Sequence, residues 1–224
     1  MSPGTEIKSV GPHQPDPEVL AKTARIIKNG GLIIFPTRCL YGLGVDAMNE
    51  RALDGLFRAK RRPEAKPVLV LVKDLEAVFR LIKPPPSYAL DLMEKIWPGR
   101  LTLIFEARSG ISARLTAGTG KIGIRIPGHP VARALVETIA VPISGTSANI
   151  SGKAGCSDIA NLDPELLKSV DLVLDAGSLK GGAGSTVLDV TGSSPRIIRQ
   201  GEITESEITS RNTGNPQKKK KKSW

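Results

Sequence analysis

Two cysteines, Cys39 and Cys156, and two histidines, His13 and His129, are all that 224 residues offer of the softer metal ligands. A disulfide framework needs an even set of spaced cysteines and a zinc site needs paired ligands, so neither is expected, and no metal site of the protein's own. Aromatic residues make up only 4 %, which leaves little to build stacking platforms for single-stranded bases. No apolar run approaches the ~20 residues of a membrane span. The opening MSPGTEIKSVGPHQPDP lacks the apolar segment of a secretory signal. A cytoplasmic protein without a membrane partner is expected. Missing too are paired carboxylates and a Ser/His/Asp order, so covalent catalysis by a side chain is not indicated.

What is present is basic. The formal net charge is +10, and removing the five charges of Lys218 to Lys222 leaves +5 on the body. Such a surface suits an anionic ligand or a nucleic acid, through steering rather than through any particular reaction. The length fits one α/β domain able to bury its own core.

The hydrophobic pattern alternates between helical and strand periods. DPEVLAKTARIIKNGG carries a capping Asp16, a proline in the first turn and closing glycines, and predicts a helix. Strands are expected at 31–35, 68–72, 101–107, 121–127 and 141–144, and in DLVLD, STVLDV and RIIR. Further helices are expected near 49–59, 74–82, 87–97 and 130–139, while PTRCLYGLG reads as loop. Several strands follow one another directly, which favours a mixed sheet over a purely parallel one. The domain reading is a flexible leader over 1–15, a catalytic domain over 16–204 and a disordered lysine-rich tail over 205–224.

Three stretches could carry chemistry. In FRAKRRPEAKPVLVLV, Lys60 and Arg62 stand in a loop stiffened by Pro63 and Pro67, where Lys offers a point charge and Arg a planar fork to an anion. The same cations also suit a helix C-terminus without any ligand. ISGTSANISG gathers hydroxyl and amide side chains, and an extended backbone would turn Ser147 and Asn149 the same way. Asx and Ser/Thr turns are the competing account of that stretch. YGLGVDA echoes a dinucleotide fingerprint, but its glycines lie too far from the preceding strand and the ribose-binding acid is missing. GGAGST lacks the Lys of a P-loop, yet its amides and Ser185 could cradle an anion. Arg125 and Arg199 lie at strand ends.

In their order, these stretches resemble the YrdC-like family of threonylcarbamoyl-adenylate synthases over about residues 16–204. PTRCLYGLG is similar to the family's Pro-Thr-x-Thr-x-Tyr-Gly-Leu-Gly, AKRRPEAKP to its Lys-x-Arg-Pro loop, and WPGRLT to Trp-Pro-Gly-Pro-x-Thr. GIRIPGHP, GTSANISG, GSTVLDV and IIRQG follow in the family's order. The resemblance implies an α/β fold, an open twisted mixed sheet with helices and a large concave basic face. It implies that L-threonine, bicarbonate and ATP give threonylcarbamoyl-AMP and pyrophosphate, for a downstream transferase machinery that modifies tRNA.

By the same resemblance Lys60 and Arg62 are catalytic, and Lys60, Arg62, Ser147, Asn149, Ser185 and Arg199 bind nucleotide. Thr37, Arg62 and Arg125 surround threonine, and Mg2+ is carried mainly by ATP oxygens. Two departures stand out: Arg38 and Cys39 replace the family's acidic or polar residue and its second Thr, and Arg100 replaces a Pro. The alternative is a non-catalytic binder of double-stranded RNA or tRNA with the same fold.

Overall fold

The computed structural model describes residues 4–204 and 206–208. The expected lysine-rich tail falls, apart from 206–208, outside the described residues. The resembled mixed α/β architecture is present, but its strands divide between two sheets rather than one.

The first sheet joins β1 (Glu6–Ser9), β2 (Ile33–Pro36), β3 (Tyr41–Gly44), β8 (Thr146–Ser147) and β9 (Leu172–Asp175), in the order β1-β9-β2-β3-β8. β1 runs parallel to β9, as β2 does, while β3 is antiparallel to β2 and to β8. The segment read as a flexible leader thus contributes an edge strand, which its exposed, non-alternating EIKS gave no apolar pattern to reveal. β3 is the other correction. Gly42 and Gly44 lie in a fully buried strand against Phe35, whose ring atoms would stand 2.9 Å from a Cβ at either position. Glycine is required there for close packing, and this explains the false dinucleotide echo.

The second sheet runs β11 (Arg196–Arg199), β10 (Thr186–Asp189), β5 (Leu101–Glu106), β6 (Lys121–Arg125), β4 (Val70–Leu71) and β7 (Ile143–Ser144). β5 pairs parallel with β10 and antiparallel with β6. Seven α-helices occupy the connections among the described residues: α1 (Pro17–Lys28), α2 (Glu50–Lys60), α3 (Leu75–Phe79), α4 (Ser87–Ile96), α5 (Ala113–Thr116), α6 (Pro130–Ile139) and α7 (Pro164–Leu167). None is long and apolar enough to cross a membrane.

Two apolar clusters hold the layers. Ile33, Phe35, Leu172 and Leu174 pack with Leu20, Ile27, Val131 and Leu135 of α1 and α6, whereas Ile34 and Val173 face the larger cluster on the other side. A strand that supplies both clusters must be apolar at successive positions, as GLIIF and LVL are. In the second sheet β4 and β7 also reach the smaller cluster through Leu71 and Ile143, but β10, β5 and β6 are one-sided. Leu101, Leu103, Phe105, Ile122, Ile124 and Leu188 enter the larger cluster, and the residues between them face the opposite way. That opposite face forms the candidate site.

Candidate active site

The free face of the second sheet floors a cavity of about 950 Å3, within the range of small-molecule sites. Thr102 and Ile104 of β5, Lys121, Gly123 and Arg125 of β6, and Val187 and Asp189 of β10 line it by their period-two alternation. Loops and the short strand β8 close the sides with Thr37 to Cys39, Arg62, Arg100, His129, Gly145 to Ser147, Ser185 and Glu202, and the end of β11 adds Arg199. The structure therefore gathers Thr37, Arg62, Arg125, Ser147, Ser185 and Arg199 around one space. It leaves Lys60 and Asn149 behind the wall.

α2 decides which way the Lys60–Arg62 pair points. Arg61 takes φ +47° and its N–H returns to Phe57 and Arg58, so the helix ends there. The turn sends Lys60 inward and Arg62 toward the cavity. Lys60 is 1 % exposed, and its Nζ donates to the Ser147 carbonyl, to the Asn149 carbonyl at 2.7 Å and to Asn149 Oδ1 at 3.1 Å. Asn149 Oδ1 also accepts from Ser147 Oγ at 2.5 Å, while Nδ2 donates to the carbonyls of Ile150 and Lys153. Burial, then the charge of Arg62, pushes the Lys60 ammonium down to about 7.

Arg62 Nε and Nη2 donate to the carbonyls of Lys66 and Pro67 at 3.2 and 2.7 Å, which anchors the fork and leaves further N–H groups for the cavity. On the far side, Arg199 Nη2 donates to Ser185 O at 2.7 Å, and Ser185 Oγ lies 2.8 Å from Thr102 Oγ1. Lys121 bonds Asp189 at 3.1 Å and Thr191 at 2.7 Å, and Arg196 also reaches Asp189. Burial opposes the Asp189 carboxylate, but bonds from Thr191 and Lys121 hold it below its usual range. Thr37 Oγ1 donates to Leu40 O at 2.5 Å.

Among the described residues, Arg100 and Arg125 are the cavity-lining cations with no hydrogen bond or ion pair. Arg125 has a buried, unpartnered Nε, and burial pushes its guanidinium down to about 10. A desolvated cation without a partner favours an anionic ligand strongly. Beside it His129 has a buried, unpartnered Nδ1, and burial, then His13 and Arg125, push it down to about 4.

The two departures have separate outcomes. Arg38 is tied to Glu202 Oε1 at 3.1 Å, and Lys180 to the same oxygen at 3.2 Å, so the added cation is ion-paired but shares its one carboxylate. Burial, then Glu202, raises the Cys39 thiol. Around Arg100 the turn is held by Trp97 Nε1 donating to Leu101 O at 2.7 Å and Gly99 N to Ile126 O at 3.0 Å. Sequence reasoning missed Lys121, Asp189, His129 and Glu202. For Lys121 a signal existed, since it alternates with Arg125 about the buried Ile122 and Ile124.

A fold of this kind with this basic cavity has known relatives. A family profile described as Sua5/YciO/YrdC, telomere recombination, matches residues 25–201, and the chain belongs to that family. It is 36 % identical over 194 residues to the threonylcarbamoyl-AMP synthase of Bacillus subtilis, covering 86 % of this chain and 56 % of the relative. The corresponding protein of Pyrococcus abyssi is 34 % identical, with 83 % and 54 % covered. The chain thus spans about half the length of these two curated relatives. Among solved structures, Pyrococcus abyssi Sua5 complexed with L-threonine superposes with a TM-score of 0.86 at 31 % identity, covering 92 % of this chain and 61 % of that one. Escherichia coli YciO gives 0.83 at 27 % identity, with 91 % and 99 % covered.

Proposed function

We propose that the chain is a threonylcarbamoyl-AMP synthase, joining L-threonine, bicarbonate and ATP with release of pyrophosphate. The observation that carries this reading is the unpartnered Arg125 guanidinium, facing the same cavity as Arg62, Ser185 and Arg199. Arg125 and Thr37 would hold threonine, Arg125 taking its carboxylate. Arg62, Ser185 and Arg199 would take the nucleotide and its phosphates, with Ser147 nearby. Support comes also from the relatives' names and from the structural neighbour that holds L-threonine.

Bicarbonate and the threonine amine condense to a carbamate with loss of water. A carbamate oxygen then attacks the α-phosphorus as pyrophosphate leaves. Fixed cations suit this chemistry, because negative charge on the phosphoryl oxygens must be held in place while the reactants are aligned. Of the acids lining the cavity, Asp189 and Glu202 are already committed to cations. Mg2+ would accordingly be held by ATP oxygens and water, where it neutralises phosphate charge. The product would pass to a transferase machinery acting on tRNA, in the cytoplasm.

The test is pyrophosphate release from ATP and bicarbonate with and without L-threonine, with serine and glycine for comparison. Threonine-dependent release is expected, and Arg125→Ala should raise the threonine KM more than the ATP KM. Release indifferent to amino acid would overturn the reading.

A further inference from the structure

Lys60 cannot reach a cavity ligand while its ammonium bonds three oxygens of the 147–149 loop, and Asn149 has no free group either. Both of its amide hydrogens go to the carbonyls of Ile150 and Lys153, which fixes which end is Nδ2. Its Oδ1 receives Lys60 Nζ and Ser147 Oγ. Since Oδ1 can only accept, the Ser147 hydroxyl proton is committed to it. Ser147 therefore turns its lone pairs, not its proton, to the cavity it lines. A phosphate oxygen, itself an acceptor, is a poor match for that face, whereas an N–H or O–H of the ligand is a good one.

We propose that Lys60 is a positioning residue: acting through Asn149 from behind the wall, it holds Ser147 as a hydrogen-bond acceptor for a donor group of the bound substrate. The backbone reinforces the arrangement, for Ser151 N donates to Lys60 O at 2.8 Å and Ala148 N to Tyr41 O at 2.8 Å. The loop is clamped to the end of α2 and to β3 at once. The substrate step rests on the synthase reading, but the clamp itself does not.

The experiment compares wild type with Lys60→Met, Lys60→Arg and Arg62→Ala in two measurements. The first is amide hydrogen exchange over 147–153. Lys60→Met should speed it at least about tenfold while leaving the β5–β6 ladder protected, and an unchanged loop would overturn the clamp. The second separates ATP affinity, by calorimetry, from turnover. Lys60→Met should lower kcat by roughly 10- to 100-fold from misplacement with ATP affinity within about threefold, and Arg62→Ala should lose ATP affinity by roughly tenfold or more.

Lys60→Arg keeps its charge at all working pH. If it folds with a protected loop, it should remove a decline in turnover that wild type shows as pH rises through about 7. Equal losses of ATP affinity in Lys60→Met and Arg62→Ala would show that Lys60 touches the nucleotide and sink the positioning role. Should wild type release no pyrophosphate, the synthase reading fails, and the exchange measurement still decides the clamp.

Discussion

At the scale of single residues the site depends on which cations are already engaged. Arg38, Lys121 and Arg196 are basic in the sequence and ion-paired in the fold, Arg38 with Glu202 and the other two with Asp189. Arg100 and Arg125 are left over, and of the two it is Arg125 that carries a buried, unpartnered Nε. His129 has a related position, buried in its neutral form beside that charge. Because its folded value is depressed to about 4, the unfolded chain binds the extra proton between about 4 and 6.5. Stability from His129 is thus fully present above about 6.5 and is lost as pH falls toward 4. Thermal unfolding followed from pH 7 to 4 should show this decline, and His129→Asn should flatten it; an identical profile would remove His129 as the cause. His129 gave no sign of this in the sequence, since a Gly-His-Pro triplet does not state what the ring will be packed beside.

At the scale of elements, the β10–β11 hairpin positions Ser185 and Arg199, and Gly201 makes its close approach possible. A Cβ there would lie 2.3 to 2.4 Å from Gly184 O, Ser185 C and Thr186 N. Those are backbone atoms and cannot swing aside. Gly201→Ala should therefore cost about 2 kcal/mol or more, seen as a Tm lower by roughly 4–8 °C, with ATP affinity falling as Ser185 and Arg199 move. An unchanged Tm would mean the segment adapts freely. Element types were largely legible: α1 and α2 follow their caps and apolar spacing, α4 and α6 their apolar spacing, and β5, β6, β9, β10 and β11 their apolar runs. β1 and β3 were not. β1 is an exposed edge strand held by pairing to β9, and β3 needs glycines that ordinarily mark loops.

At the scale of the whole molecule, the basic balance serves two readings. A non-catalytic RNA binder and a synthase would both be cationic, but they place the working charge differently. Removing Lys218 to Lys222 halves the formal charge from +10 to +5 and leaves every described residue that lines the cavity in place. Pyrophosphate release should be unchanged by that deletion, while affinity for tRNA, measured against salt, should fall and lose part of its salt slope. A parallel loss of release would tie the lysines to catalysis and count against a site confined to the cavity.

The sequence by itself determined most of the element types, the family resemblance and the residue kinds that meet anions, because periodicity, capping and motif order are local properties of the chain. Only the tertiary structure decided the division into two sheets and the pairing that leaves Arg125 without a partner. It also decided that Arg62 enters the cavity while Lys60, two residues earlier, turns behind it. That last choice rests on one left-handed residue, Arg61, and on three oxygens brought from a loop nearly ninety residues away. Partners that distant in the chain are set by packing, and no local pattern encodes them.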